Sequence, residues 1–267
     1  NRARTNPKRI IFAEADQIDV LKAAQIVHEE GIGFPILLGN QEIIKELKAE
    51  IGFDTEVPIF DPKTKESEAK RFEYANHFWE TRKRKGITLL DAEKWMRERN
   101  YFGLMMVNTG EADAMVTGYS RSYPTTIKPV MQLIDKAPGV SKIATTNMMM
   151  TARGPIFLSD TAINPNPSAD DLARIALMTA KTVRMFGMEP VIAMVSYSNF
   201  GSSHNEGPSK ISQAVAYLHE NFPDLIVDGE IQTDFALNSD MLKSKFPFSK
   251  LVNKKVNTLI FPNLDAA

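Results

Sequence analysis

Short apolar runs alternate with amphipathic stretches along nearly the whole chain. Arg9-Ile-Ile-Phe-Ala13 predicts a strand, and the spacing that follows predicts a helix over 19–30, with Gly31 placed to close it. Pro35-Ile-Leu-Leu38 predicts a second strand and 41–50 a second helix. Strand, helix, strand in this rhythm implies a mainly parallel sheet with helices on both faces. Residues 66–84 read as a long charged helix with Phe72, Ala75, Phe78 and Trp79 on one side. Thr88-Leu-Leu-Asp91 has the form of a capping box and predicts a helix ending near Asn100. Ala112-Asp-Ala-Met-Val-Thr-Gly118 predicts a strand running into a polar loop over 119–126, with a helix over 128–134.

The second half repeats the pattern. Pro155-Ile-Phe-Leu158 predicts a strand ending at Ser159-Asp160. Ser168, with Asp171 three residues on, predicts the cap of a helix closed by Gly187. Val191-Ile-Ala-Met-Val195 is an apolar run that breaks into a hydroxyl-rich loop, Ser196 to Ser203, before a helix over 209–220. Leu225-Ile-Val227 predicts a strand ending at Asp228-Gly-Glu230. Asn257-Thr-Leu-Ile-Phe-Pro262 predicts another, after which 263–267 stops where a helix is expected to begin. No internal repeat is visible. A boundary near Ala137-Pro-Gly139 would divide the chain into α/β lobes over 1–137 and 138–267.

Composition narrows the classes. The chain has 267 residues, 43% hydrophobic and 24% charged, with a net charge of −1, so neither a nucleic-acid partner nor a membrane surface is expected. The absence of cysteine removes disulfides, thiol catalysis and cysteine metal sites, and fits a cytoplasmic location. No apolar run approaches the ~20 residues of a membrane span. A start at Asn1 without Met suggests a piece of a longer polypeptide.

Candidate chemistry gathers where strands run into loops. In the loop 196–203, Ser198, Asn199, Ser202 and the amides beside Gly201 could cradle a phosphate; a solvated turn reads equally well. In the loop 118–126, Arg121 with Lys128 could pair with an anion, and Ser122, Thr125 and Thr126 could donate to it; the plain alternative is a surface loop with a helix cap. Arg82-Lys-Arg-Lys-Gly86 ends a helix, where most such clusters are solvated and a single arginine reaching a cleft is the sharper reading. Asp160, Asp228, Glu230 and Asp234 could form a general-base or metal cluster, or could cap helices and pair with lysines. No tight metal-ligand spacing is present, so no metal site is expected.

Several of these segments, in order, resemble the phosphate acetyltransferase family. Val195-Ser-Tyr-Ser-Asn-Phe-Gly-Ser-Ser203 looks like its LSYSTKGSA segment, and Ser159-Asp-Thr-Ala-Ile-Asn-Pro-Asn-Pro167 like DCAINPDP. Val227-Asp-Gly-Glu-Ile-Gln-Thr-Asp234 looks like IDGELQVD, Ile260-Phe-Pro-Asn-Leu264 like IFPDLN, and Arg82-Lys-Arg-Lys-Gly86 like RKHKG. One branch is closer still. Residues 1–14, Gly118-Tyr-Ser-Arg-Ser-Tyr123 and Ser198-Asn-Phe-Gly-Ser202 are similar to the C-terminal domain of large bacterial NADP-dependent malic enzymes.

The resemblance implies a two-lobed, parallel-sheet fold similar to the isocitrate and isopropylmalate dehydrogenases. Acetyl-CoA or CoA would be the ligand, held in the cleft between lobes. Carried over residue by residue, Arg82 matches a cleft arginine and Ser122 a serine of the phosphate loop. Lys128 stands where transferases usually have arginine, which keeps the charge but loses the bidentate fork. Asn199-Phe200 replaces Thr-Lys and removes a cation. The family's catalytic serine–arginine pair, and the return of the first lobe, are expected after Ala267, so no catalytic residue is named in this chain. The leading expectation is an acyl-CoA-binding regulatory domain attached to an N-terminal malic-enzyme half, assembled as a homo-oligomer, with a dimer of this domain. NADP and a divalent metal would belong only to that other half. An active phosphate acetyltransferase is the alternative, and a metal-dependent hydroxyacid dehydrogenase using Asp228, Glu230 and Asp234 is a third.

Overall fold

The computed structural model describes residues 3–267. Asn1 and Arg2, which open the segment similar to the malic enzymes, lie outside the described residues. The fold divides after Asp135, and each unit has its own sheet.

The first unit runs β1 (Lys8–Phe12), α1 (Ile18–Glu29), β2 (Gly33–Leu38), α2 (Gln41–Ile51), β3 (Ile59–Phe60), α3 (Glu68–Arg82), α4 (Leu89–Trp95), α5 (Arg99–Asn108), β4 (Ala114–Val116) and α6 (Tyr123–Leu133). Its four strands are parallel in the order β3-β2-β1-β4. Local chemistry sets the helix ends. The Asn40 side chain accepts from the N–H groups of Glu42 and Ile43 to start α2, and Gly52 stops it at φ +71°. Thr88 and Asp91 form the expected capping box.

One helix expected to end near Asn100 is instead two. Seven consecutive residues of α5, Asn100 to Met106, are buried, so the helix has no polar stripe and its periodicity is invisible in sequence. It packs among Tyr74, Phe78 and Met96, with Tyr74 edge-on to Phe102 at 5.2 Å between centroids. Gly103 is required at that crossing: a Cβ there would lie 2.7 Å from Met115 Sδ and 3.1 Å from Leu38 Cδ2. α6 begins at Tyr123, five residues earlier than expected, with Pro124 in its first turn; Thr125, Thr126 and Lys128 are therefore helical.

The second unit runs β5 (Thr146–Thr151), β6 (Gly154–Ser159), α7 (Ala169–Met185), β7 (Val191–Val195), α8 (Glu206–Asn221), β8 (Ile226–Ile231), α9 (Thr233–Leu237), α10 (Ser239–Lys245) and β9 (Thr258–Ile260). Strand order is β5-β6-β9-β7-β8, parallel except for the antiparallel edge strand β5. β7 is apolar throughout because both faces are covered. Ile192 and Met194 pack with α7 and α8 residues such as Leu172 and Leu218; Val191, Ala193 and Val195 face Ala236, Leu242 and Leu251. Each of the larger side chains, Val, Ile, Leu or Met, contributes roughly 1.5–3 kcal/mol of burial. The cap of Ser168 and Asp171 is present as expected. β5, α9 and α10 were not anticipated, and β8 extends to Ile231, which places Asp228 and Glu230 inside a strand rather than past its end. Among the described residues no helix is long and apolar enough to cross a membrane.

Candidate functional site

The loop after β7 folds back onto β8. Ser196 N–H donates to Ile231 O at 2.9 Å and Phe200 N–H to Glu230 O at 2.8 Å. Inside the turn lies the Glu230 side chain, 1% exposed. One carboxylate oxygen accepts from Ser198 Oγ at 3.3 Å and from Gly201 N–H; the other accepts from Ser212 Oγ on α8. Ser198 and Ser202 hydroxyls lie 2.9 Å apart, and Ser198 Oγ accepts from Ser203 N–H at 3.1 Å. Ser198, Gly201 and Ser202 are thus brought together around one of the protein's own carboxylates. Asn199 is tied to Gln232 in both directions, its Oδ1 accepting from Gln232 N–H at 2.8 Å. Phe200, at φ +45°, packs its ring 5.0 Å from both Phe246 and Phe248.

Two other buried carboxylates of this unit are held in the same way. Asp160 accepts from Thr145 N–H at 3.0 Å, Ala162 N–H at 3.1 Å and Asn164 N–H at 2.8 Å, and from the Thr145 hydroxyl. Burial pushes its carboxyl up, but these donors outweigh burial and hold it below the ordinary carboxylate value. Asp228 accepts from Ser249 Oγ and Lys250 N–H, each at 2.8 Å. Asp234 is exposed in the first turn of α9. Among the described residues no group of acids and histidines could hold a metal ion. The acids Asp160, Asp228 and Glu230 therefore anchor separate loops and do not form a general-base or metal cluster.

In the first unit Glu14, which the sequence did not single out, holds the loop after β4. It accepts from the N–H groups of Gly118 at 3.0 Å, Tyr119 at 2.7 Å and Ser120 at 3.0 Å, and from Ser120 Oγ at 2.7 Å. Burial raises this carboxyl; the Ser120 hydroxyl and the three amides lower it further, to below the usual range. The residues expected to bind an anion follow this loop. Ser122 sits at the start of α6 with its hydroxyl 2.8 Å from Thr125 Oγ1, and Thr126 Oγ1 donates to Ser122 O at 3.2 Å. Lys128 Nζ lies 5.5 Å over the Trp95 ring. Arg82 reaches the far end of α6 and donates to the Gln132 carbonyl. Arg121 goes elsewhere: it borders a hollow of about 60 Å³ with Lys63 and Arg97. Thr126 and Lys128 thus lie on α6 with Ser122 at its N-cap, Arg82 approaches the opposite end of that helix from α3, and Arg121 borders a separate hollow.

A larger cavity, about 450 Å³, opens at the carboxyl edge of the second sheet. Ser196 and Tyr197 border it after β7, Phe261 and Asn263 after β9, and Glu206 and Lys210 from the first turns of α8. Lys210 Nζ donates to Asn166 Oδ1 at 2.7 Å and Pro167 O at 3.1 Å. Burial lowers its pKa and Glu206 partly restores it; the net shift is downward. A half-buried lysine beside a helix N-terminus, with a hydroxyl, a phenol and an apolar wall, suits a ligand that is anionic at one end and apolar along its length. Lys210 and Tyr197 were missed in sequence because one lysine in an amphipathic helix looks like any solvated lysine.

A sequence profile described as phosphate acetyl/butaryl transferase matches residues 1–267. The phosphate acetyltransferase of Acetivibrio thermocellus is 36% identical over 272 residues, 99% of this chain and 80% of that protein. The NADP-dependent malic enzyme of Escherichia coli is 34% identical over 269 residues, 100% of this chain but 35% of that enzyme. Among solved structures, a phosphotransacetylase from Streptococcus pyogenes superposes with a TM-score of 0.86 at 35% identity, covering 99% of this chain and 81% of that one.

Proposed function

Because the chain belongs to the phosphate acetyl/butaryl transferase family, we propose that it binds acetyl-CoA or CoA and serves as a regulatory domain of an NADP-dependent malic enzyme. The observation that carries this reading is the closed loop after β7. Glu230 fills its centre, and Phe200, packed on Phe246 and Phe248, stands where the family segment carries a cation. Such a loop offers a shaped wall rather than a charge for a transferring phosphate. The cavity it borders takes the acyl-pantetheine arm, with Lys210 as the cationic group for an anionic or carbonyl oxygen. Regulation then requires only that acetyl-CoA bind one conformation of the full polypeptide more tightly than another.

Calorimetric titration of this chain with acetyl-CoA, paired with malate oxidation by the full-length protein, tests the proposal. Saturable binding and a dose-dependent change in rate support it; no binding and no change in rate reject it.

A second reading is favoured by relatives that match the chain over most of their own length and are named phosphate acetyltransferases. A phosphate oxygen would attack the thioester carbonyl, and the CoA thiolate would leave as acetyl phosphate forms. Thioester absorbance followed with acetyl-CoA and phosphate separates the two readings: turnover above buffer by the full-length protein supports this one.

A further inference from the structure

The carboxyl-edge cavity contains a nucleophile that ligand binding alone does not use. Among the described residues that line it, Lys210 is the one lysine. It is half-buried on α8, and its Nζ donates to Asn166 Oδ1 at 2.7 Å and to Pro167 O at 3.1 Å. Those acceptors use two of the three N–H groups of an ammonium and leave one position for a ligand. The chain has no cysteine, so amines are the strongest nucleophiles it can offer an acyl group.

An acyl thioester is an electrophile as well as a ligand. With Lys210 as the cationic group for its carbonyl oxygen, the nitrogen meets a bound thioester one bond from the carbonyl carbon. Burial lowers the Lys210 pKa and Glu206 only partly restores it, so the free amine is more available here than on an exposed lysine. Lys48 separates basicity from placement. Burial lowers its pKa too, and its Nζ is held by the Thr55 carbonyl at 2.6 Å and over the Phe53 ring. Lys48 lies in the first unit, however, and does not line this cavity. Only Lys210 combines a loosely held proton with a place for a thioester beside it.

We propose that Lys210 is a self-acetylation site, its amine taking the acetyl group of a thioester held in the cavity; this rests on the cavity binding acetyl-CoA. The Lys210 ammonium first gives a proton to water or to Glu206, four residues back on α8 and on the same cavity wall. The neutral nitrogen then attacks the carbonyl carbon. An N–C bond forms, the C–S bond breaks, and its electron pair leaves on sulfur. The proton shed by the attacking nitrogen ends on that sulfur, giving the free CoA thiol. The product is an uncharged amide with a single N–H. It can hold Asn166 or Pro167 but not both, and it no longer attracts an anion. Acetylation therefore closes the cavity to further ligand.

The full-length protein is incubated with acetyl-CoA, and acetylation is read lysine by lysine from peptide masses. Lys210 should be modified at least about tenfold faster than Lys48 or any exposed lysine. Its rate should saturate with acetyl-CoA and fall when CoA is added as competitor. Lys210→Arg keeps the charge but cannot be acetylated, and should abolish the fast phase in a protein whose far-UV circular dichroism is unchanged. The wild-type labelling pattern decides the matter even where that variant does not fold. Calorimetry of the wild-type protein with acetyl-CoA separates the two ways of failing. Saturable binding with Lys210 labelled no faster than Lys48 overturns the self-acetylation and leaves the cavity's ligand standing. No binding and no saturation overturn both.

Discussion

Replacing Glu230 probes the device that shapes the loop beside the cavity. Its carboxylate is buried and serves three donors, the Ser198 and Ser212 hydroxyls and the Gly201 amide. Ser212 and Gly201 are exposed and can turn to water, whereas the buried Ser198 hydroxyl has only Ser202 Oγ, 2.9 Å away, to turn to. A hydrogen bond to a charged acceptor contributes about 1.5–3 kcal/mol. Glu230→Ala, which also opens a cavity, should cost about 2–4 kcal/mol. Glu230→Gln keeps the shape but offers two donors where the site supplies donors, and should cost about 1–2 kcal/mol. Urea unfolding followed by far-UV circular dichroism is the assay, since Trp79 and Trp95 both lie in the first unit. With a slope of about 2 kcal/mol/M, the alanine variant's midpoint should fall by roughly 1–2 M. A Glu230→Gln midpoint equal to wild type would show that the carboxylate's charge does not organise the loop.

Other perturbations report on neighbouring parts. Gly229→Ala should destabilise the second unit by about 2–4 kcal/mol in the same assay, because the glycine sits at φ +150° and a Cβ would fall 2.4 Å from Met194 O. Lys210→Met should weaken acetyl-CoA binding at least about tenfold by calorimetry with little effect on folding. Only protonated Lys210 attracts an anion, and its pKa lies below the ordinary 10.5, so wild-type affinity should decline with rising pH earlier than for an exposed lysine. Glu14, held below its ordinary 4.5, stabilises the fold fully above that value and loses its contribution as pH falls through the lowered one. Glu14→Gln should therefore flatten the acid limb of a stability–pH curve below about pH 4.5, and an unchanged limb would remove this role.

Strands and helices with one clean period were legible in the sequence. β7 stood out as an apolar run because two layers cover it, and the caps at Thr88 and Ser168 announced their helices through residue spacing alone. What the sequence concealed had no period to read. α5 is buried all round, and β5 is bare on both faces, so neither alternates. For the site, the loop 196–203 was found as a cluster of small polar residues, but its occupant was not. Nothing in Asp228-Gly-Glu230 reveals that β8 runs on and turns Glu230 inward beneath that loop. Likewise Glu14 follows β1 in sequence, yet its amide partners lie about a hundred residues later, a pairing that only the parallel neighbour β4 creates. Long-range carboxylate-to-amide contacts of this kind depend on topology, which local residue pattern does not encode.

Titrating acetyl-CoA into the full-length protein while following malate-dependent NADP reduction tests the central claim most directly. The account predicts a saturable change in rate whose midpoint shifts to higher acetyl-CoA in Lys210→Met. A rate indifferent to acetyl-CoA, together with no heat of binding to this chain, would contradict it.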